Sequence, residues 1–173
     1  MQYILRGGTL YEQGKKLACL RYALCSTEKR IFLADGTLAL RADIHRCRVP
    51  HPGDRDLYFK RYVIADAAGT ECAVCKPRYA LELTGRRLAP MSQMTAVDHA
   101  EVLLLQQKYS LLRRSATQYT LLDLAEEVAV ELRRKGVQGG WSIETAQPFA
   151  PELLCGLFAF CRYLERENEL VVV

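Results

Sequence analysis

The first residues that could do chemistry are the pair Cys72-Ala-Val-Cys75, with His45, Cys47 and His51 upstream. Thiolates and imidazoles at such spacing are the ligands of tetrahedral zinc. The spacing argues against a site. Residues three apart on a strand point to opposite faces, so the two thiols would diverge. No second CxxC follows. The thiols read instead as small apolar core residues, and no metal is expected. The three histidines, His45, His51 and His99, could each serve a cysteine or serine nucleophile. No G-x-S-x-G elbow, H-E-x-x-H helix or cysteine-protease signature accompanies them, and no catalytic residue is assigned. Neither G-x-x-x-x-G-K-[ST] nor G-x-G-x-x-G is present, which argues against a nucleotide cofactor.

Basic pairs are the other chemical feature. They are Lys15-Lys16, Lys29-Arg30, Lys60-Arg61, Arg86-Arg87, Arg113-Arg114 and Arg133-Arg134-Lys135. Several fall near predicted strand ends. If folding gathers them at one end of the molecule, they could hold phosphates by charge-assisted hydrogen bonds. The candidate ligand-binding residues are Lys60, Arg61, Arg113, Arg114, Arg133, Arg134 and Lys135. The competing view is that such pairs are solvated charges balanced by 20 acids. Nucleic acid is a poor fit, because the net charge is only +4 and no aromatic-basic stacking signature appears.

The elements that must position these residues come from a chain of 173 residues, half apolar and a quarter charged, with no linker dividing it. A single domain spanning 1–173 is the simplest reading. The start, MQYILRGGTL, lacks a basic segment followed by an apolar one, and no window nears the roughly 20 apolar residues of a spanning helix. With seven cysteines and no export signal, the expectation is a cytoplasmic protein with reduced thiols.

Most of the chain reads as short strands. Residues 17–25 are apolar with one charge. Residues 29–42 are two apolar runs around Asp35-Gly36, a hairpin signal in which both central positions need positive φ. Residues 56–76 repeat this scheme around Ala68-Gly69. Pro50, Pro52 and Gly53 mark a loop, Pro77 closes a strand, and 84–96 is a longer connection. Residues 120–136 are two-sided. Leu121, Leu124, Ala125, Val128, Ala129 and Leu132 share a helical face behind a Thr120/Asp123 cap. Against this, Tyr119-Thr-Leu-Leu-Asp123 with Glu127-Val-Ala-Val130 repeats Tyr62-Val-Ile-Ala-Asp66 with Glu71-Cys-Ala-Val74, a hairpin. Residues 139–144 add another strand. Ten or more short strands suggest a barrel or sandwich.

The end of the chain decides between them. After Pro151 and Glu152, residues Leu153 to Cys161 carry no charge. A helix apolar all round is buried all round, and this one is too short to span a bilayer. Its length suits the inside of a small barrel, with Gly156 and Ala159 allowing close approach.

The tail G-G-W-S-I-E…P-E-L-L-C-G-L-F-A-F-C-R-Y-L and the hairpin Y-V-I-A-D-A-A-G-T-E-C-A-V-C-K resemble the tubby C-terminal-like superfamily, which includes LURP-one-related proteins and phospholipid scramblases. The resemblance implies a mainly β fold, a barrel of twelve antiparallel strands enclosing a hydrophobic C-terminal α-helix. It also points to phosphoinositide binding, without matching the family's lipid-contacting motif residue by residue. Leu124-Ala-Glu-Glu127 departs from the family's glycine turn. The functional expectation is a non-catalytic module that takes an anionic lipid headgroup at a membrane surface. The alternative is a scaffold for another protein, with an enzyme last.

Overall fold

The computed structural model describes residues 1–49, 57–78, 97–136 and 139–169. Pro50, His51, Pro52, Gly53, the connection 84–96 and the Arg86-Arg87 pair lie outside the described residues. Twelve strands close into a barrel in which each pairs antiparallel with its neighbours in sequence, and β1 meets β12. They are β1 (Gln2–Arg6), β2 (Thr9–Glu12), β3 (Lys15–Tyr22), β4 (Lys29–Leu33), β5 (Leu38–Val49) and β6 (Leu57–Asp66). The second half contributes β7 (Glu71–Arg78), β8 (His99–Leu104), β9 (Gln107–Ser115), β10 (Gln118–Leu122), β11 (Val128–Arg134) and β12 (Trp141–Thr145). One helix, α1 (Pro151–Glu169), follows.

Closure leaves no unpaired strand edge. It also creates an interior that side chains must fill, and α1 fills it. Every residue from Leu153 to Cys161 is buried. Phe158 stands edge-on to Trp141 of β12 at 5.5 Å between ring centroids. Phe160 and Tyr163 lie on Tyr62 of β6 at 6.3 and 5.1 Å. A Cβ added to Gly156 would sit 2.5 Å from Cδ1 of Ile64, so α1 can approach β6 only because that position has no side chain. The helix enters at one end of the barrel, where Glu152 faces the positive end of its dipole, and Arg166 occupies its last turn at the other.

Residues 120–136 are the hairpin β10–β11, not a helix. Tyr119 and Leu121 face inward opposite Leu132 and Val130, and Leu124 stands 80% exposed at the turn. The interior rewards alternation over the helical face that the same apolar residues could have made. The repeat is real in geometry. Asp66 N–H donates to the Thr70 carbonyl at 2.9 Å and Gly69 N–H to the Asp66 carbonyl at 3.1 Å. Asp123 and Glu127, with Glu126, form the same pair at 3.0 and 3.1 Å. Glu126 holds φ of 62° where Gly69 holds 90°.

Three local expectations change. The Asp35-Gly36 turn spans Leu33 to Thr37 with positive φ at Gly36 and not at Asp35, so it is the longer turn of the same repeat. Pro77 does not close β7: it pairs with Ala100 and the strand runs on to Arg78. Near a strand end the ladder tolerates the missing N–H. The first apolar run leaves the sheet after Tyr22, and Ala23 to Glu28 form a loop to β4.

A candidate anion site at the helix-exit end

Strand direction divides the charges between the two ends of the barrel. At the end where α1 enters, the turns carry Asp35, Asp66, Asp123, Glu126 and Glu127, with Lys15, Lys16 and Lys108 close by. Six of the seven candidate residues lie toward the opposite end, where α1 exits, on β6, β9, β11 or the turn after it, whereas Arg61, midway along β6, turns its guanidinium to Glu71 at the start of β7, on the helix-entry side.

Register sorts the candidates by face. Lys60 pairs with Arg46 one step beyond the inward pair Tyr62 and Ile44 along the same face. Arg113 pairs with inward Tyr119, and Arg134 with inward Trp141. These four cations therefore sit on the interior face at the barrel mouth. Arg61, Arg114 and Arg133 lie on the outer face, and Lys135 begins the turn to β12. Several are occupied. Lys60 holds Glu167 of α1 at 2.8 and 2.9 Å, Arg61 holds Glu71 at 2.9 Å, and Arg133 holds Glu131 at 2.9 Å. Arg46, Arg113, Arg114 and Arg134 form no ion pair among the described residues.

A further group of cations includes residues outside that candidate set. A pocket of about 200 Å³ is lined by Tyr22 and Lys29 from the ends of β3 and β4, Ser26 and Thr27 from the loop between them, and Arg162, Tyr163 and Arg166 from α1. Lys29 is only 6% exposed. It pairs with Tyr22 across the strands and with Ala42 of β5, which fixes it on the interior face. Its ammonium lies 3.5 Å from the Tyr163 ring centroid and 5.5 Å from that of Tyr22. It makes no hydrogen bond and no ion pair among the described residues. Burial, then the neighbouring Arg166 and Arg162, push its pKa down to about 8, with Asp43 pulling the other way.

Hydrogen bonds hold the pocket's frame. The Tyr163 hydroxyl lies 2.8 Å from the Thr27 carbonyl and 2.9 Å from that of Ala42, so it ties α1 to the loop and to β5. Thr27 Oγ1 donates to Asp43, whose carboxylate also accepts Ile44 N–H at 2.7 Å. Both bonds fall on Oδ1 of Asp43, and its negative charge still acts on Lys29. Arg162 pairs with Glu165, and Arg166 has no acid partner among the described residues. Ser26 Oγ accepts Glu28 N–H at 3.0 Å, which leaves its own proton to donate.

Lys29 was visible as half of a basic pair. Nothing in its neighbours says that it faces inward, because that depends on the exit point of a helix more than 120 residues away. Arg162 and Arg166 read as ordinary helix-end charges until the barrel closes round them.

The other chemistry-bearing residues do not assemble. Cys75 is buried, and Cys72 is half-buried and packs against the core. His45 is exposed on β5, His99 begins β8, and His51 lies outside the described residues. Among the described residues no three His, Cys, Asp or Glu side chains come together as metal ligands would. No helix among them is long and apolar enough to cross a membrane.

No family model and no curated protein matches the chain. A solved structure of a protein from Arabidopsis thaliana is similar over 95% of this chain and 90% of its own, at 12% identity and a TM-score of 0.36. At that distance the similarity carries no argument about kinship or function.

Proposed function

We propose that this protein is a non-catalytic binding module of tubby-like architecture, whose helix-exit end takes an anionic lipid headgroup at a membrane surface. The observation that carries the reading is the gathering of cations at one barrel end. Arg46, Arg113 and Arg134 lie on strands around that end, and Lys29 and Arg166 share a pocket there, all without acid partners among the described residues. Folding brings like charges together against their repulsion, and an anion that binds there relieves it. The twelve-stranded barrel around an apolar C-terminal helix supports the tubby-like assignment.

Co-flotation with vesicles tests the reading. The protein should float with vesicles containing anionic lipid and not with phosphatidylcholine alone, and raising the salt from about 50 to about 300 mM, which shortens the Debye length about 2.4-fold, should weaken the association. Absence from every vesicle fraction would overturn the membrane reading and leave a protein partner as the lead.

A further inference from the structure

We propose that the pocket between the β3–β4 loop and the exit of α1 is a specific site for a phosphate monoester, presented on a lipid, with Lys29 as its central ligand. This rests on the anion-binding reading above and narrows it from an electrostatic surface to one site.

Three observations point to the ligand. First, Lys29 is 6% exposed and its ammonium has only aromatic faces for company among the described residues. The ammonium keeps an opening onto the pocket, so an acceptor held there would supply the hydrogen bond that the fold does not. Second, the unspent donors are of a kind that a tetrahedral dianion satisfies. The Lys29 ammonium, the Arg166 guanidinium and the Ser26 hydroxyl all line the pocket. Two full cations beside a third, Arg162, match a dianion better than a single carboxylate. Third, the pocket of about 200 Å³ holds a phosphate and part of its ester group.

The two arginines alone would be weak evidence, since cations near a helix C-terminus offset its dipole. That role does not account for Lys29. It comes from a strand, and it donates to no helix carbonyl.

The source of the phosphate follows from the adjoining loop. Leu24 is 96% exposed and Tyr22 63% exposed, immediately beside the pocket. A leucine at the tip of a loop that flanks a cationic pocket is placed to enter the lipid interface while the headgroup occupies the pocket.

The test has two arms, each applied to wild type and to Lys29→Met, Arg166→Gln and Leu24→Ser. Calorimetric titration with glycerol 3-phosphate measures the pocket without a membrane. Flotation compares phosphatidylcholine vesicles carrying phosphatidic acid, a monoester, with vesicles carrying phosphatidylglycerol, a diester, at matched surface charge. The wild type should bind glycerol 3-phosphate and prefer phosphatidic acid. Lys29→Met should lower affinity in both arms by about tenfold or more, and Arg166→Gln, at an exposed position, should lower it with the fold intact. Leu24→Ser should weaken flotation and leave the calorimetric affinity unchanged. Wild-type glycerol 3-phosphate binding by Lys29→Met, or equal flotation with both lipids, would overturn the pocket while the broader anion surface stood. Calorimetric binding that depends on Lys29, with no flotation, would overturn the lipid source and leave a soluble phosphate ester as the ligand.

Discussion

The Lys29 ammonium rests 3.5 Å from the centroid of the Tyr163 ring, where a buried lysine would ordinarily meet a carboxylate. Tyr163 is held in place by the carbonyls of Thr27 and Ala42, so the ring is a fixed platform. The ring quadrupole returns part of the hydration that burial removes, and Arg162 and Arg166 take some of it away.

This arrangement costs stability. Replacing the charge by an apolar side chain of similar length removes a desolvation cost, so Lys29→Met should be more stable than wild type by about 1 kcal/mol at neutral pH. The pKa is lowered in the fold, from 10.5 to about 8. The unfolded chain therefore binds this proton more tightly, and the destabilisation is fully present below pH 8 and relieved as pH rises towards 10.5. The gain from Lys29→Met in urea melts should shrink over that window. A variant less stable than wild type at pH 7 would mean that the ammonium supports the fold.

Gly156 and Ile64 form a second dependent pair. Gly156→Ala should destabilise by about 1–3 kcal/mol through overpacking against Ile64 Cδ1, even though alanine favours helix. Ile64→Val removes Cδ1 and should recover much of that loss in the double variant. A thermal melt showing additive losses would mean that the helix shifts to make room.

The turn at Glu126 stores backbone strain. A left-handed φ of 62° costs a glutamate about 1 kcal/mol relative to glycine, and the equivalent turns use Gly36 and Gly69. Glu126→Gly should raise the denaturation midpoint by an amount corresponding to about 0.5–1 kcal/mol, and Gly69→Ala should lower it. An unchanged midpoint for Glu126→Gly would show that its side chain offsets the strain.

Buried thiols and phenols set the alkaline limit. Burial pushes the Cys155 thiol up to about 12 from 9.0 and the Tyr119 hydroxyl up to about 12 from 10.0, and raises Cys75 and Cys161 as well. A raised folded pKa gives stability that is complete below the unfolded value and is lost as pH rises through the folded one. Stability under reducing conditions should fall from about pH 9 towards 12, against the smaller opposite trend of Lys29. Cys155→Ala/Cys161→Ala should start lower and fall less steeply. Parallel curves would assign the fall to other groups.

Much of this architecture was legible before any coordinates. The apolar run from Leu153 to Cys161 requires burial on all sides, and alternating strands require a partner for one face. A closed barrel round the helix satisfies both, and the structure has it. The hairpin at 120–135 was ambiguous because Leu121, Val128 and Leu132 fit a helical face and a strand pattern equally. Register against the barrel interior decides it, and register is non-local. The site was legible only in part. The basic pairs fall at both ends of the barrel, Lys15-Lys16 at the helix-entry end and Arg113-Arg114 and Arg133-Arg134-Lys135 at the other, and a pair on a strand places one side chain inside and one outside. Which of Lys29 and Arg30 faces α1 follows from pairing with Ala42, and that has no local signal.

The most direct test of the central claim compares two variants of equal net charge. Arg46→Gln/Arg114→Gln/Arg134→Gln removes three exposed charges at the helix-exit end. Lys15→Gln/Lys16→Gln/Lys108→Gln removes three at the helix-entry end. Flotation with vesicles containing phosphatidic acid should fall sharply for the first and stay near wild type for the second. Equal losses in the two variants would contradict the account, because net charge alone, and not the barrel end that gathers it, would then govern binding.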